Sequence, residues 1–462
     1  MSDFLLEKGN KPGWNKILKT IGAPIPTKLK RLKGSWEKAI LTGKKAGYGS
    51  ANGGINAAVF GSVFNELGCA TPLATIADGD KAAALVFDAT GISTVSDLKS
   101  MYEFFHTNNI RKLAACAKII IVANSVKKSI EGSPETYYEL STVQQGIEGF
   151  SRSLAKEVGG KGITVNLIRL SNAKEATDKT LLPYIHFLLS DGVAFVTGQV
   201  FEVNVSTAPQ QTAPLEKSLS GKTAIVTGSA RGIGEATARK LAAEGATVVV
   251  LDRPQDAEAG KAVAASINGK FLGVDMGSDE APILIADFIK NELNGGLDII
   301  VHNAGITRDK TLANMDANQW DMVININLNA IIKTNKELLK QGLIKENGRI
   351  IGLSSTSGFS GNFGQTNYST TKAGVIGYVR SISQTTTDKK ITVNAIAPGF
   401  IETQMTAKMP AMTQFFARRL SNLNQGGQPT DIGDMITFLA SPGASGISGQ
   451  IIRVCGGNFI GA

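Results

Sequence analysis

The stretch Thr223-Ala-Ile-Val-Thr227-Gly228-Ser-Ala-Arg231-Gly232-Ile233-Gly234-Glu-Ala236 decides how the rest of the chain is read. A β-branched apolar run of strand length passes into a glycine-rich turn, after which Ala236, Ala238, Leu241 and Ala242 mark the inner face of a helix. Glycines at such a turn let backbone amides and a helix N-terminus approach a pyrophosphate, whose negative charge the helix end favours. A glycine pattern alone is equally a plain turn. Here strand, loop and helix follow in order and an acidic residue, Asp252, ends the next strand, which together predict a dinucleotide site on Gly228, Arg231, Gly232, Ile233, Gly234 and Asp252.

The carboxylate of Asp252 accepts hydrogen bonds from a free ribose 2′-OH and repels a 2′-phosphate, so NADH/NAD is expected ahead of NADPH. Against this, Arg231 and Arg253 lie close by and could partly neutralise a phosphate; a surface role suits either arginine equally. Further apolar runs at 247–251, 298–302, 349–353 and 391–396 alternate with helical patterns, which argues for βαβ units around a parallel sheet. Ligands of such sheets bind at the carboxyl ends of the strands, where the strand order reverses.

Tyr368-Ser-Thr-Thr-Lys372 opens a helical pattern, and the spacing of four puts phenol and ammonium on one face, a turn apart. A neighbouring cation is expected to lower the phenol pKa from about 10 and make Tyr368 a usable proton donor to a carbonyl being reduced. Ser355 follows the 349–353 run and reaches the same sheet edge, where its hydroxyl can donate to a developing alkoxide; Ser354 and Ser357 compete, and spacing to Tyr368 selects Ser355. Asn327, in Asn325-Ile-Asn-Leu-Asn329, lies on a helical stretch where a buried amide could hold a water for proton relay to Lys372. Asn325 and Asn329 are rivals, and a helix residue satisfying nearby backbone is the simpler reading.

The 462 residues, 42% of them hydrophobic and 51 of them glycine, suit two α/β domains. The segment 206–220 carries two prolines and no apolar period and reads as a linker. Gly149-Phe-Ser-Arg-Ser-Leu and Ile163-Thr-Val-Asn166 recur as Gly377-Tyr-Val-Arg-Ser-Ile and Ile391-Thr-Val-Asn394 at one common offset, so the two domains are expected to be related. The expected boundaries are a basic extension at 1–33, a first domain at 34–206, a linker at 207–220 and a second domain at 221–462. Cys69, Cys116 and Cys455 are widely spaced and odd in number, which fits reduced thiols in a cytoplasm. No metal site is expected, and His106, His186 and His302 read as packing or surface residues. No apolar run is long enough to span a bilayer. The net charge of +9 is concentrated in residues 1–45, where eleven Lys/Arg face Asp3, Glu7 and Glu37, 11 − 3 = +8. Without aromatic interleaving this arm reads as a solvated extension rather than a nucleic-acid surface.

Thr227-Gly-Ser-Ala-Arg-Gly-Ile-Gly, Asn303-Ala-Gly-Ile-Thr-Arg-Asp-Lys, Asn327-Leu, Ser355, Tyr368-Ser-Thr-Thr-Lys-Ala-Gly, Pro398-Gly-Phe-Ile-Glu-Thr and the ending Arg453-Val-Cys-Gly-Gly-Asn-Phe-Ile-Gly-Ala together resemble the short-chain dehydrogenase/reductase family. The resemblance covers residues 221–462 and is nearest to the high-molecular-weight, two-domain β-ketoacyl-acyl-carrier-protein reductases. It implies two Rossmann-like, doubly wound parallel-sheet domains in tandem, the first degenerate and flavodoxin-like, the second a complete short-chain dehydrogenase fold. It implies a catalytic tetrad of Asn327, Ser355, Tyr368 and Lys372. It further implies cofactor contacts from Asp275 and Met276 at adenine, from Asn303, Ala304 and Gly305 at the adenosine ribose, and from Pro398, Gly399, Ile401 and Thr403 at the nicotinamide carboxamide, beside Arg253, Tyr368 and Lys372. The implied reaction is NADH-dependent reduction of a 3-oxoacyl thioester on acyl-carrier protein or CoA to the 3-hydroxyacyl thioester, in fatty acid biosynthesis, by a homodimer or higher homo-oligomer.

Two other readings stay open: a 3-hydroxyacyl-CoA or other alcohol dehydrogenase running in the oxidative direction, and a carrier or nucleic-acid binding protein acting through the basic arm. Met405, Met409, Met412, Phe415 and Phe416 could line an acyl groove, with Arg418 and Arg419 near a thioester's phosphates, or form a helix packing on its own domain. In the first half Leu140 and Gln144 stand where the offset would put Tyr368 and Lys372, and Ala89 where Asn303 would be. Thr42-Gly-Lys-Lys-Ala-Gly47-Tyr-Gly49 keeps the glycine spacing, yet the shorter distance to Gly91 predicts one strand and one helix fewer. That domain is expected to bind no cofactor and to serve packing, dimerisation or docking.

Overall fold

Two parallel β-sheets carry the architecture, and the computed structural model describes residues 3–20, 25–126 and 134–458. The first sheet holds β1 (Lys45–Ser50), β2 (Ala82–Asp88), β3 (Leu113–Asn124), β4 (Thr164–Leu170) and β5 (Val200–Val203), in that spatial order. The second holds β6 (Thr223–Thr227), β7 (Thr247–Asp252), β8 (Lys270–Gly273), β9 (Leu297–His302), β10 (Ile344–Leu353), β11 (Thr392–Pro398) and β12 (Ile451–Val454), in the order β12-β11-β10-β9-β6-β7-β8. Strands covered on both faces by helices read as continuous apolar runs, and β9 is buried along its whole length. Ile225, Val249, Ile300 and Val393 of the second sheet join Ile285 and Ile289 of the helix Ala281–Glu292, Leu338 of Ala330–Lys340 and Val379 of Thr366–Ile382 in one core. Each such side chain, fully buried, contributes about 1.5–3 kcal/mol. The strand order reverses at β6, which lies between β9 and β7 and places the carboxyl ends of these three strands side by side.

The first sheet is smaller than the second, with five strands against seven. Between β6 and β9 lie β7, β8 and three helices of eight residues or more, Gly232–Ala243, Ala257–Ser266 and Ala281–Glu292; between β1 and β2 lies only Ala57–Glu66 among the described residues. The sequence predicts a loss of one strand and one helix, and the loss is two of each. The five strands that remain run in sequence order, so no reversal point flanks β1; an isolated bridge from Gly47 to Leu73 lies on that edge. The glycines that keep the dinucleotide spacing are also placed differently from their reading. Gly47 and Gly49 lie inside β1, where a Cβ would meet Leu85 Cδ2 at 2.5 Å and Phe104 Cδ2 at 2.4 Å. Close packing of neighbouring side chains, not phosphate approach, requires glycine there.

By density of internal contacts the chain divides into Met1–Leu215 with Met409–Gly426 and Gly456–Phe459, and Glu216–Lys408 with Gly427–Cys455 and Ile460–Ala462. Two short segments that the sequence assigns to the second domain therefore group with the first unit. Polar contacts within that unit hold them: Arg419 Nη2 pairs with Asp3 Oδ1 at 2.8 Å, the Gln425 amide donates to the Thr27 carbonyl, and Gly456 N–H donates to the Phe195 carbonyl. The basic arm is accordingly anchored rather than free in solvent. It forms helices Phe4–Gly9 and Pro12–Thr20, with Asp3 capping the first and Leu5, Leu18 and Leu29 buried. Residues 21–24 and 459–462, the last including the end of the C-terminal motif, lie outside the described residues. In the linker, Ala208, Ala213, Leu215 and Leu219 are buried, and Ser218 N–H donates to Glu244. Among the described residues no helix is long and apolar enough to cross a membrane, and Cys69, Cys116 and Cys455 are free thiols.

Candidate active site

The glycine-rich turn after β6 has the shape of a cradle with no spare volume on its inner wall. Gly228 adopts φ +65°, and a Cβ on it would stand 2.8 Å from Ala304 Cα. At Gly234 a Cβ would stand 2.2 Å from the Gly228 carbonyl oxygen and 2.5 Å from Asn303 Nδ2. Asn303 closes the turn from the next strand: its amide donates to the Thr227 and Gly228 carbonyls at 3.0 and 2.9 Å. Thr227 reciprocates, its hydroxyl oxygen accepting from the N–H groups of Asn303 and Ala304. The helix Gly232–Ala243 starts at Gly232, with Arg231 at its N-cap and Ile233 in its first turn. Its unpaired N-terminal amides and dipole favour an anion. These residues fit a dinucleotide pyrophosphate.

At the end of β7 the Asp252 carboxylate accepts from Ala230 N–H at 2.8 Å and from Arg253 N–H at 2.9 Å. Each oxygen keeps acceptor capacity for a hydroxyl. The guanidinium groups of Arg231 and Arg253 both turn to Asp256. Sequence pattern alone misses Asp256, whose pairing with Arg231 spans 25 residues. Asp275 and Met276 follow β8; the Asp275 carboxylate accepts from Gly277 N–H, and Met276 is buried.

Asn327 lies in a single π turn, Asn325–Asn329, where Ala330 N–H reaches back to the Asn325 carbonyl. Such turns concentrate at functional sites. Its buried amide clamps the loop after β9: Oδ1 accepts from Ile306 N–H at 2.8 Å and Nδ2 donates to the Ile306 carbonyl at 2.9 Å. The simpler sequence reading, an amide satisfying nearby backbone, describes these contacts, and Oδ1 retains room for one more donor. The rival Asn325 instead donates to the Gly277 carbonyl, and Asn329 to Asn325.

Tyr368 and Lys372 lie on the helix Thr366–Ile382, and Lys372 Nζ stands 5.5 Å from the phenol ring centroid. The Lys372 ammonium is buried and donates to the Leu353 carbonyl at 2.8 Å. A Cβ on Gly305 would stand 3.2 Å from Asn327 Oδ1 and 3.6 Å from Lys372 Nζ, so the loop after β9, the π turn and this helix converge. Ser355, after β10, has its hydroxyl beside the phenol. The rivals separate here as well: Ser354 Oγ is buried against the Lys372 carbonyl, and Ser357 Oγ faces Gln365.

The titration behaviour differs from the sequence expectation. Burial pushes the Tyr368 phenol up, the Ser355 hydroxyl pulls it part of the way back, and Asp309 adds to the rise. Burial also pulls the Lys372 ammonium down to about 8. Desolvation disfavours both charges, and what lowers the phenol is the Ser355 hydrogen bond rather than the Lys372 charge that the spacing of four predicts. Tyr368 is therefore protonated at neutral pH, the form that donates. Pro398 ends β11, and Gly399, Ile401 and Thr403 follow it: the Pro398 carbonyl accepts from Thr356 N–H, a Cβ on Gly399 would meet Cys455 Cβ at 2.7 Å, Ile401 is buried, and Thr403 bonds to Thr406.

Other sequence candidates have structural partners. His302 is buried and neutral, pulled down to about 4 by burial, and bonds Asn335 Oδ1 at 2.7 Å. His186 bonds the Glu37 carbonyl, and His106 stacks on Tyr102. In the helix Ala411–Arg419, Arg418 is buried against Gln414 and Arg419 pairs with Asp3, so neither offers its charge to a thioester's phosphates.

A family model described as Enoyl-(Acyl carrier protein) reductase matches residues 228–458. The chain is 41% identical over 251 residues to the 3-oxoacyl-[acyl-carrier-protein] reductase FabG of Aquifex aeolicus (strain VF5), covering 53% of this chain and 100% of the relative. It is likewise 41% identical over 244 residues to the Vibrio harveyi FabG, covering 52% and 99%. A solved structure, the angucycline C-6 ketoreductase LanV with bound NADP, is 28% identical with a TM-score of 0.49, covering 53% of this chain and 98% of that one.

Proposed function

Because the chain belongs to the short-chain dehydrogenase/reductase family, we propose that its second domain uses NADH to reduce the C3 carbonyl of a 3-oxoacyl thioester, on acyl-carrier protein or CoA. The observation that carries this reading is the convergence of Asn327, Ser355, Tyr368 and Lys372 at a sheet edge that also holds a glycine cradle. The names of the FabG relatives support the substrate class. A bound nicotinamide dinucleotide supplies the hydride. Gly228, Gly232, Ile233 and Gly234 would hold its pyrophosphate, Asp252 and Asn303 to Gly305 its adenosine ribose, Asp275 and Met276 its adenine, and Pro398 to Thr403 its carboxamide.

Tyr368 donates its phenolic proton to the new C3 alkoxide, and Ser355 gives that oxygen a hydrogen bond as charge develops. Lys372 stabilises the phenolate left behind, and Asn327 holds the loop after β9 against the lysine. The same assay tests substrate and mechanism: NADH absorbance is expected to fall when acetoacetyl-CoA or a longer 3-oxoacyl thioester is added, and no change would rule that class out. The rate should be level below pH 8 and fall as pH rises through about 8, where Lys372 loses its charge. In folding, the depressed lysine pKa is a penalty, complete below pH 8 and relieved between there and 10.5. A rate flat to pH 10 would remove Lys372 from the proposal.

The first domain is proposed to bind no dinucleotide. The buried Asp88 carboxylate accepts from Ile55 N–H at 2.7 Å in the turn after β1, so a negative charge already fills the position a phosphate would need. Calorimetry on the full chain is expected to give one NADH per chain, and two would overturn this assignment.

A further inference from the structure

The edge of the site at β7 carries Arg231, Arg253, Asp252 and Asp256, with Asp275 also acting on Arg253, a formal sum of 2 − 3 = −1, and their arrangement is uneven. Asp252 keeps its carboxylate toward the turn, bonded to the N–H groups of Ala230 and Arg253. The residues next to these two donors supply the cations: Arg231 follows Ala230, and Arg253 is itself the second donor. Both side chains are about half exposed, 53% and 55%, whereas the Asp256 side chain that pairs with them is 14% exposed. Asp256 ends the short turn Pro254–Asp256 and accepts through both oxygens, Oδ1 from Arg231 and Oδ2 from Arg253 Nε at 2.9 Å. One largely buried carboxylate therefore holds two half-exposed guanidinium groups immediately beside the Asp252 carboxylate.

We propose that Asp256 is a specificity-determining residue that withholds Arg231 and Arg253 from an adenosine 2′-phosphate, so that Asp252 alone addresses that position and a free 2′-OH is preferred. This rests on the dinucleotide reading of the second domain. A 2′-phosphate needs a planar, bidentate cation, and arginine is the side chain built to supply one. With Asp256 in place, each guanidinium must break an ion pair before it can turn to a phosphate, and the local charge stays negative. Without Asp256 the local sum rises by one charge to zero and both forks are released. Asp256 touches no ligand in this account. It is a positioning residue acting through the two arginines, and Arg253 in turn keeps the Asp256 carboxyl below the usual carboxylate range, hence ionised at neutral pH.

The test is equilibrium binding to the full chain, read by NADH and NADPH fluorescence at fixed low ionic strength for the wild type, Asp256→Asn and Asp256→Ala. The ratio of NADPH to NADH dissociation constants is expected to fall by about tenfold or more in both variants, with NADH affinity within about threefold of wild type. In the triple variant Asp256→Asn, Arg231→Gln, Arg253→Gln the ratio should return to the wild-type value or above. A loss of fold would depress both dinucleotides together and could not move the ratio this way. An unchanged ratio in variants that still bind NADH would overturn the role of Asp256 while leaving the site itself standing. A shift that persists in the triple variant would also overturn it, because the arginines would not be its cause. If the wild type bound neither dinucleotide, the reading of the domain would fall together with the proposal.

Discussion

Replacing Tyr368 by phenylalanine is expected to lower kcat by about 10²–10⁴-fold, with the dissociation constant for NADH and the thermal midpoint close to wild type. The structure keeps the phenol both protonated at neutral pH and beside a hydroxyl, Ser355, able to share the same substrate oxygen. Phenylalanine keeps the ring, its place on the helix Thr366–Ile382 and its contact with the Lys372 ammonium, so the loss isolates the transferable proton. Saturating kinetics with a 3-oxoacyl thioester measure the change. A fall of less than tenfold would mean that the proton comes from another donor, and Ser355 would be the first to examine.

The second large effect is expected from a change that adds one methyl group. In Gly234→Ala the new Cβ would fall 2.2 Å from the Gly228 carbonyl oxygen, 2.5 Å from Asn303 Nδ2 and 2.8 Å from Ser229 Cα. Two of these three atoms are backbone, and the Asn303 amide is held by two carbonyls, so no flexible side chain can yield. The turn must open, at a cost of about 1–3 kcal/mol in stability, and the amides that would face a pyrophosphate move with it. NADH binding by calorimetry should weaken beyond detection while the protein remains folded at room temperature. Gly377→Ala is the control: a Cβ there meets nothing within 4 Å, and the helix should gain up to about 1 kcal/mol. Wild-type NADH affinity in Gly234→Ala would contradict the cradle.

How far the sequence carried depended on whether a feature is local. The strands β6, β7, β9 and β11 and the 349–353 half of β10 are legible because each is a largely buried apolar run bounded by turn residues, whereas the first half of β10 carries the exposed Lys345, Glu346 and Asn347 and is not. The four-residue strands β8 and β12 are too short and too mixed in burial to stand out. In the first unit, glycines with dinucleotide spacing fall within β1, because side-chain crowding asks for the same residue that phosphate approach does. The π turn around Asn327 leaves no mark on composition, since it changes one hydrogen-bond register and no residue type. For Tyr368 and Lys372 the helical spacing is readable, but the sign of the phenol shift is not. Spacing counts the charge, and only burial reveals the desolvation that raises the phenol and lowers the ammonium. Asp256 was invisible for a related reason: its meaning lies in which two cations it faces, which the fold decides.

Central to the account is hydride delivery to C3 of a thioester-bound 3-oxo group at the edge that bears Tyr368. The most direct measurement incubates the full-length protein with a 3-oxoacyl thioester and NADH carrying deuterium at both C4 positions of the nicotinamide, then locates the label by mass spectrometry. One deuterium at C3 of a 3-hydroxyacyl thioester, formed by the wild type and not by Tyr368→Phe, is the predicted result. Unlabelled or unreduced thioester with the wild type, or equal labelling by the phenylalanine variant, would contradict it.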